Sequence, residues 1–432
     1  MKRVLIITYY WPPAGGIGVL RCLKFAKYLR QFGWEPIIYT PSNADYSYYD
    51  ETNLKDIPDH IEVIKHPIRE PFRIFKLLSR RSKNDSTNPV YARGKKVKFV
   101  DDIAIWIRGN FFIPDARAMW ISPSVKYLKD YLKDHPVDAI FTDGPPHTNT
   151  VIGLKLSQEL GIPWLADFQD PWTQVDYYKM FNISMWADKK HRKLEQLVFK
   201  VAEKITIASP AWVYDLESIG AKNVDVLYYG YDEDDFVNIN PALDSGFTII
   251  HAGLLGYDRN PEVFFKVLGD LKSELDGFDQ YLKIKFAGDI DFLVKKAILD
   301  NGLQPNFIEM GVIDRSRVLE MTMNAHLLLL PINKAENAKG RIPGKLYENL
   351  RAKRPILCLG PKESDVANIL KETNAGVCFE YDDYINIKNH IKSRYELYLK
   401  GENNVETHLI DRFSNENQTK KLSQMLNNII DV

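Results

Sequence analysis

Two doubly wound α/β domains facing across a cleft, each a parallel sheet covered by helices, form the architecture that the sequence predicts. Three observations predict it. Short, continuous apolar runs of strand length alternate with helical patterns, as in a parallel sheet buried on both faces. The pattern restarts at Phe247, and each half opens with a strand that feeds a glycine-rich turn and then a helix. The chain has 432 residues, enough for about two or three domains.

In the first half, Val4–Thr8 is the opening strand, followed by the turn Trp11–Gly18 and a helix from Val19 to Gln31 with apolar positions at Leu20, Leu23, Ala26 and Leu29. Further strands are expected at Ile37–Tyr39, Ile61–Lys65, Ala139–Thr142, Trp164–Ala166, Ile205–Ala208 and Val224–Tyr228. The second half offers Phe247–His251, the turn Gly253–Gly256 and a helix over Pro261–Leu271. It continues with strands at Leu282–Ala287, Phe307–Met310, Leu327–Leu330, Ile356–Leu359 and Gly376–Phe379. The acidic stretch Asp232–Asp235 and Asn238–Gly246 read as a linker. The domains expected are therefore 1–240, with an insertion over about 66–113, and 241–415. Ligands in such sheets bind beyond the carboxyl ends of the strands.

Composition narrows the function. Hydrophobic residues make up 45% and charged residues 26% of the chain, ordinary globular values that argue against disorder or coiled coil. Lys+Arg and Asp+Glu are both 57, so no global charge favours nucleic acid. Cys22, Cys358 and Cys378 are far apart in sequence and lack metal-ligand spacing, which reads as reduced thiols in a cytoplasm. The apolar start ends at Pro12-Pro13, too short for an export signal.

Several local patterns carry chemistry. Gly15-Gly16-Ile17-Gly18 sits between a strand and a helix, so it is either a tight turn or a close backbone approach to an anion at a helix start. Behind it, Arg21, Lys24, Lys27 and Arg30 recur every three residues and are expected to be a solvated face, with Arg21 alone near enough to be a ligand. In Arg341-Ile-Pro-Gly344-Lys345-Leu346-Tyr-Glu348, Pro-Gly starts a helix whose first residue is a lysine. A cation there opposes the helix dipole by about 0.3–1 kcal/mol, and a bound phosphate would reverse the sign. Glu348, three residues on, shares the lysine's face and suits a sugar diol; the bland alternative is a surface ion pair. Arg259 precedes Asn260-Pro261 and places a second cation near a helix start.

In the first half, His147 follows one strand in Asp143-Gly-Pro-Pro-His147, and Asp170 follows another in Asp167-Phe-Gln-Asp170. They are the groups best placed to handle a proton or orient a hydroxyl. His251, at a strand end, reads as core. Asp289-Ile-Asp291 imitates a metal-binding pair but is close to chance in so acidic a chain, and no metal is expected. Residues 69–98 hold ten basic side chains against Glu70 and Asp85, with aromatics interleaved. This suits either an anionic membrane surface or a solvated insertion.

Together these segments resemble the GT-B glycosyltransferases, specifically the GT4-like group of bacterial sugar transferases. The likeness rests on Thr8-Tyr-Tyr-Trp-Pro-Pro-Ala-Gly-Gly16, Pro163-Trp-Leu-Ala-Asp-Phe-Gln-Asp-Pro-Trp172, His251-Ala-Gly-Leu-Leu-Gly-Tyr-Asp-Arg-Asn-Pro261 and Pro343-Gly-Lys-Leu-Tyr-Glu348, and it covers nearly the whole chain. It implies an acceptor-binding first domain, a second domain that binds a nucleotide-sugar donor, and a carboxyl-terminal helix (416–432) returning to the first. It implies that Arg259 and Lys345 neutralise the diphosphate, that Glu348 holds the ribose, and that Gly16, Gly344 and Leu346 also line the donor. His147 and Asp170 then serve the acceptor. Retention of configuration without metal or other cofactor is implied too, as is surface-polysaccharide or glycoconjugate synthesis on a glycan or lipid-linked acceptor at the inner face of the cell membrane. The family often has a second glutamate eight residues before the position of Glu348; here Gly340 stands there, with Glu336 and Asn337 as neighbours. A nucleotide-sugar 2-epimerase and an inactive partner protein of the same fold are the alternatives.

Overall fold

The computed structural model describes residues 1–70, 106–403 and 405–431. The chain forms two compact units, Met1–Tyr228 with Asn415–Val432, and Tyr229–Ser414. The basic segment expected at 69–98 lies, beyond Glu70, outside the described residues.

The first unit is a parallel sheet of β1 (Lys2–Ile7), β2 (Trp34–Pro41), β3 (Glu62–His66), β4 (Ala139–Gly144), β5 (Trp164–Phe168), β6 (Lys204–Ile207) and β7 (Val224–Val226), in the order β3-β2-β1-β4-β5-β6-β7. Alternation along β1 shows why both faces need cover. Val4 and Ile6 join a cluster with Leu23 and Ala26 of α1 (Ile17–Tyr28), while Leu5 and Ile7 pack with Leu128 of α2 (Ile121–Asp134) and Val151 and Leu154 of α3 (His147–Leu160). All four β1 side chains are fully buried, as a period of two between helical layers requires. The helices α4 (Met185–Val201) and α5 (Pro210–Ser218) complete the layers. The last helix, α12 (Asn415–Ile430), buries Leu422, Leu426 and Ile429 in the α1 cluster. Its Gln418 side chain accepts from the Tyr228 N–H (2.9 Å) and its Lys421 ammonium donates to the Val226 carbonyl (2.6 Å).

The second unit repeats the plan. Its strands are β8 (Phe247–Ala252), β9 (Leu282–Ala287), β10 (Phe307–Gly311), β11 (Leu327–Pro331), β12 (Ile356–Leu359) and β13 (Gly376–Phe379), parallel in the order β10-β9-β8-β11-β12-β13. Its helices are α6 (Glu262–Glu274), α7 (Phe292–Asp300), α8 (Arg315–Asn324), α9 (Lys345–Ala352), α10 (Asp365–Thr373) and α11 (Tyr384–Leu399). The strand order reverses beside the first strand of each unit, between β1 and β4 and between β8 and β11. Loops leaving neighbouring strands in opposite directions open a crevice there. No helix among the described residues is long and apolar enough to cross a membrane.

Two expectations need correction, the basic stripe and the linker. The basic stripe on α1 is not a solvated face. Arg21 and Lys24 are buried; Lys24 and Lys27 reach Asp56 (2.7 and 3.3 Å), and Arg30 pairs with Glu35 (2.6 Å). Arg21 is no ligand candidate: its Nε and Nη2 donate to Asp167 (2.5 and 2.8 Å), and its guanidinium also reaches the carbonyls of Leu227 (2.7 Å) and Tyr228 (3.0 Å). The acidic stretch read as a linker is docked on the second unit, Asp235 to Arg315 (2.7 Å) and Glu233 to Arg351 (2.7 Å). Pairing of β12 with β13 sets Cys358 opposite Cys378, and both are free thiols.

The Arg21–Asp167 pair is 1% and 0% exposed. Removing one partner strands the other charge in the core, so Arg21→Met or Asp167→Leu should each cost about 3–5 kcal/mol in denaturant unfolding. The double variant should lose less than the worse single one, because no charge is left alone.

Candidate functional site

The second unit gathers most of the predicted donor residues at its β8/β11 switch point. After β8 the chain turns through Gly253, whose φ of +115° suits glycine and whose added Cβ would lie 2.5 Å from the Lys345 Nζ. The ammonium thus occupies the space where a side chain at 253 would begin, so a larger residue would have to displace it as well as hold a left-handed backbone. Gly288, φ +120°, backs this turn in the same way: a Cβ there would lie 2.6 Å from the Gly253 carbonyl oxygen.

Lys345 opens α9 behind Gly344, which caps the helix with no side chain. Burial, with the Arg259 charge beside it, pulls the Lys345 ammonium down to about 7, and Glu348 opposes the shift. Arg259 Nε is buried and makes no hydrogen bond among the described residues; its nearest carboxylate, on Asp258, is 3.6 Å away. The loop that carries it is fixed. Asp258 accepts from the Asn333 side chain and, through its carbonyl, from Lys334 N–H (2.9 Å), and Tyr381 donates to the Ile332 carbonyl (2.7 Å). Two cations are therefore held side by side with too little negative charge, a state that a bound diphosphate would relieve.

Glu348 lies one turn along α9, and the structure adds a residue that the sequence reading missed. Arg315, first residue of α8, donates through Nε (3.0 Å) and Nη2 (2.7 Å) to Glu348 Oε1 and through Nη1 to Asp235 (2.7 Å). The fork fixes the carboxylate's rotamer and leaves Oε2 outside it. Leu346 is fully buried and its N–H turns back to the Pro343 carbonyl (2.9 Å), so it serves the helix start. His251 is a core residue, as expected. Its Nδ1 lies 3.0 Å from the Leu329 carbonyl, and burial, then Lys345, pushes it well below the ordinary histidine value. The Asp289-Ile-Asp291 pair serves backbone: Asp291 caps α7 through the Leu293 N–H (2.8 Å), and the Asp289 carbonyl accepts from Leu255 (2.9 Å). Among the described residues, no group of three or more His, Cys, Asp or Glu is placed to hold a metal. In place of the family's earlier glutamate, Gly340 is buried, Glu336 is exposed, and the Asn337 amide atoms are buried without a hydrogen-bond partner among the described residues.

Gly16, His147 and Asp170 belong to the first unit, where they follow β1, β4 and β5. Gly16, at φ +91°, is the N-cap of α1. His147 opens α3, buried and stacked on Trp172 at 4.4 Å between centroids. Burial and the nearby His191 lower its value to about 3. Asp170 is partly exposed just past β5. Between them lies Asp143, which the sequence reading noted only as part of a loop. It accepts from Thr8 (3.0 Å) and Gln169, and burial together with the Asp167 charge pushes its carboxyl up to about 7. A carboxylate closing an otherwise apolar central strand was the signal for it.

No family model matches the chain, and no curated protein matches it in sequence. Solved structures do. A glycosyltransferase from Rickettsia africae is 15% identical, with a TM-score of 0.62 over 99% of this chain and 98% of that one. Anabaena HepE, solved with UDP and glucose, is 13% identical, with a TM-score of 0.57 over 100% of this chain and 98% of its own. A Listeria monocytogenes protein assigned as a UDP-N-acetylglucosamine 2-epimerase is 9% identical, with a TM-score of 0.57 over 100% and 97%. At these identities the likeness is one of fold, and together with the two sheet topologies it gives the chain the GT-B fold of the glycosyltransferases.

Proposed function

We propose that the protein is a retaining, metal-independent glycosyltransferase that moves a hexose from a nucleoside-diphosphate sugar to a glycan or lipid-linked acceptor in surface-polysaccharide or glycoconjugate synthesis, on the cytoplasmic side of the membrane. One observation carries the donor half of the reading: Lys345 and Arg259 share a half-buried corner at the β8/β11 switch point with Glu348 one helical turn away. Two cations suit a diphosphate and a fixed carboxylate suits a ribose diol. In this reading Lys345, Arg259 and the α9 start stabilise charge as the diphosphate leaves. The acceptor unit is Met1–Tyr228 with the returning helix from Asn415, and the donor unit is Tyr229–Ser414, with Gly16 and Gly344 lining the donor and His147 or Asp170 orienting the acceptor hydroxyl. The fold is shared with the Listeria epimerase-like protein, so products decide between the two classes: an epimerase converts the donor alone, whereas a transferase yields a glycosylated acceptor.

Thermal unfolding against UDP, GDP, ADP, CMP and NAD should show stabilisation by one nucleoside diphosphate, about 2.7 kcal/mol at a hundredfold its Kd. Glu348→Ala and Arg315→Met should both weaken that response yet leave binding of inorganic pyrophosphate intact. Lys345→Met should abolish both. A flat panel, or a response to NAD alone, would overturn the donor assignment.

The pH dependence has a definite sign. With Lys345 near 7 in the free protein, only its protonated form attracts a diphosphate. Affinity should therefore be full below about 7 and fall up to tenfold per pH unit above it. Calorimetry at pH 8 in two buffers should report proton uptake on binding. Between about 7 and the ordinary lysine value the unfolded chain binds the extra proton, so this group makes the free protein's stability rise with pH across that window and costs most below it. Lys345→Met should accordingly be more stable than wild type at neutral pH without ligand, and its stability should vary less between pH 7 and 10.

A further inference from the structure

The solvent-facing side of one helix of the first unit combines features that the proposed reaction does not use. The helix α4 turns Ala187, His191, Val198 and Phe199 into the core. Its acids also face away from solvent or are spoken for: Glu195 accepts from the Thr173 N–H (3.1 Å) and hydroxyl (2.6 Å), and Asp188 from Tyr178 (3.1 Å) and Arg192 (2.9 Å). Its outward side carries Lys189, Lys190, Lys193 and Lys200, all exposed and none paired with a carboxylate among the described residues. That face is cationic with no internal counter-charge.

The same helix begins with two apolar side chains in water, Met185 at 91% and Trp186 at 54% exposure. Lys190 holds its ammonium 3.8 Å from the Trp186 ring centroid, so the cation and the indole share one patch. A second apolar pair is tied beside them. Asn110 donates to the Trp106 and Asn182 carbonyls (2.8 and 3.3 Å) and accepts from the Ser184 N–H (2.7 Å). This pins residues 106–111 to the residue that caps α4. Trp106 and Phe111, in edge contact at 5.7 Å, are 42% and 63% exposed.

We propose that this surface docks the protein on an anionic lipid bilayer. Two tryptophans, a phenylalanine and a methionine would enter the interfacial layer, where indole rings and flexible thioethers are accommodated. The lysines would lie above them, their stems along the apolar patch and their ammonium groups at the phosphates. Nucleic acid would engage the lysines but has no use for Met185 at the rim. Neither the buried cations of the second unit nor the nucleotide reading enters this inference, so each stands or falls without the other.

Co-sedimentation of the full chain with vesicles tests it. Vesicles of phosphatidylglycerol in phosphatidylcholine should bind the protein at least about tenfold more strongly than phosphatidylcholine alone, and added salt should reduce the difference. Met185→Ser with Trp186→Ser, and separately Lys189→Glu with Lys190→Glu and Lys193→Glu, should each lower partitioning to anionic vesicles about tenfold. Because these side chains are exposed, the unfolding temperature and the response to nucleotide should not change. Equal binding to both vesicle types, no binding to either, or folded variants that partition as wild type would overturn the proposal. Loss of binding to duplex DNA or RNA in the lysine variant, with no vesicle binding in wild type, would reassign the surface to nucleic acid.

Discussion

Burial of each parallel sheet on both faces is the constraint from which the rest of this molecule follows. With Val4–Ile7 and Leu327–Leu330 fully or almost fully buried, the sheets have no room for polar chemistry along their length. In these central strands ionisable groups are kept toward the ends, and the reversal of strand order beside β1 and β8 selects which ends open into a crevice. The glycines at 16, 253 and 288 belong to the same constraint, since a strand that ends at a crevice must turn sharply and let another group pass close to its backbone.

Both units hold cations at these ends, but in opposite states of compensation. Arg21 has a carboxylate and two carbonyls within hydrogen-bonding distance, and such a pair holds α1 to β5 and to the chain leaving β7. Lys345 and Arg259 repel one another, and the carboxylates near them are shared: Glu348 is held by Arg315, and Asp258, 3.6 Å from Arg259, also receives Asn333. Each unit of displaced pKa corresponds to about 1.4 kcal/mol between protonation states, so holding a lysine near 7 is a real destabilisation of the ligand-free fold. Compensated burial marks an architectural residue; uncompensated burial at a crevice marks a place for a ligand of opposite charge.

The local part of this was legible in the sequence. Each expected strand is present, most within one or two residues of its anticipated ends, because a run of buried apolar residues between turn-forming segments has few other structures open to it. The spacing of Lys345 and Glu348 and the helix start at Lys345 follow from helix periodicity alone. What escaped was set by packing between distant segments. Arg315 is 33 residues from Glu348 and 80 from Asp235; nothing in its neighbours announces either partner. The α1 stripe failed for a related reason: periodicity tells which residues share a face, and only the fold tells what covers it. Here Asp56 and Asp167 arrive from elsewhere to meet that face.

The first unit's titratable groups can be ordered by the same reasoning. A general base works best with a pKa near the working pH, and His147, held near 3 by burial and by His191, is a weak proton acceptor there. Stacked flat on Trp172 and fixed at the first turn of α3, it is suited to accept a hydrogen bond in a set direction, which orients a hydroxyl without ionising it. Asp143, near 7, has the matching affinity for a proton but is fully buried and already receives Thr8 and Gln169. Its effect must therefore pass through those neighbours; the Asn149 amide that steadies the β4–α3 loop donates to the main-chain carbonyl of Asp143 (2.7 Å), not to the carboxyl. Asp170 is partly exposed beyond β5. The division is physical: the buried acid braces Thr8 and Gln169 at the strand end, and the buried imidazole directs a hydrogen bond.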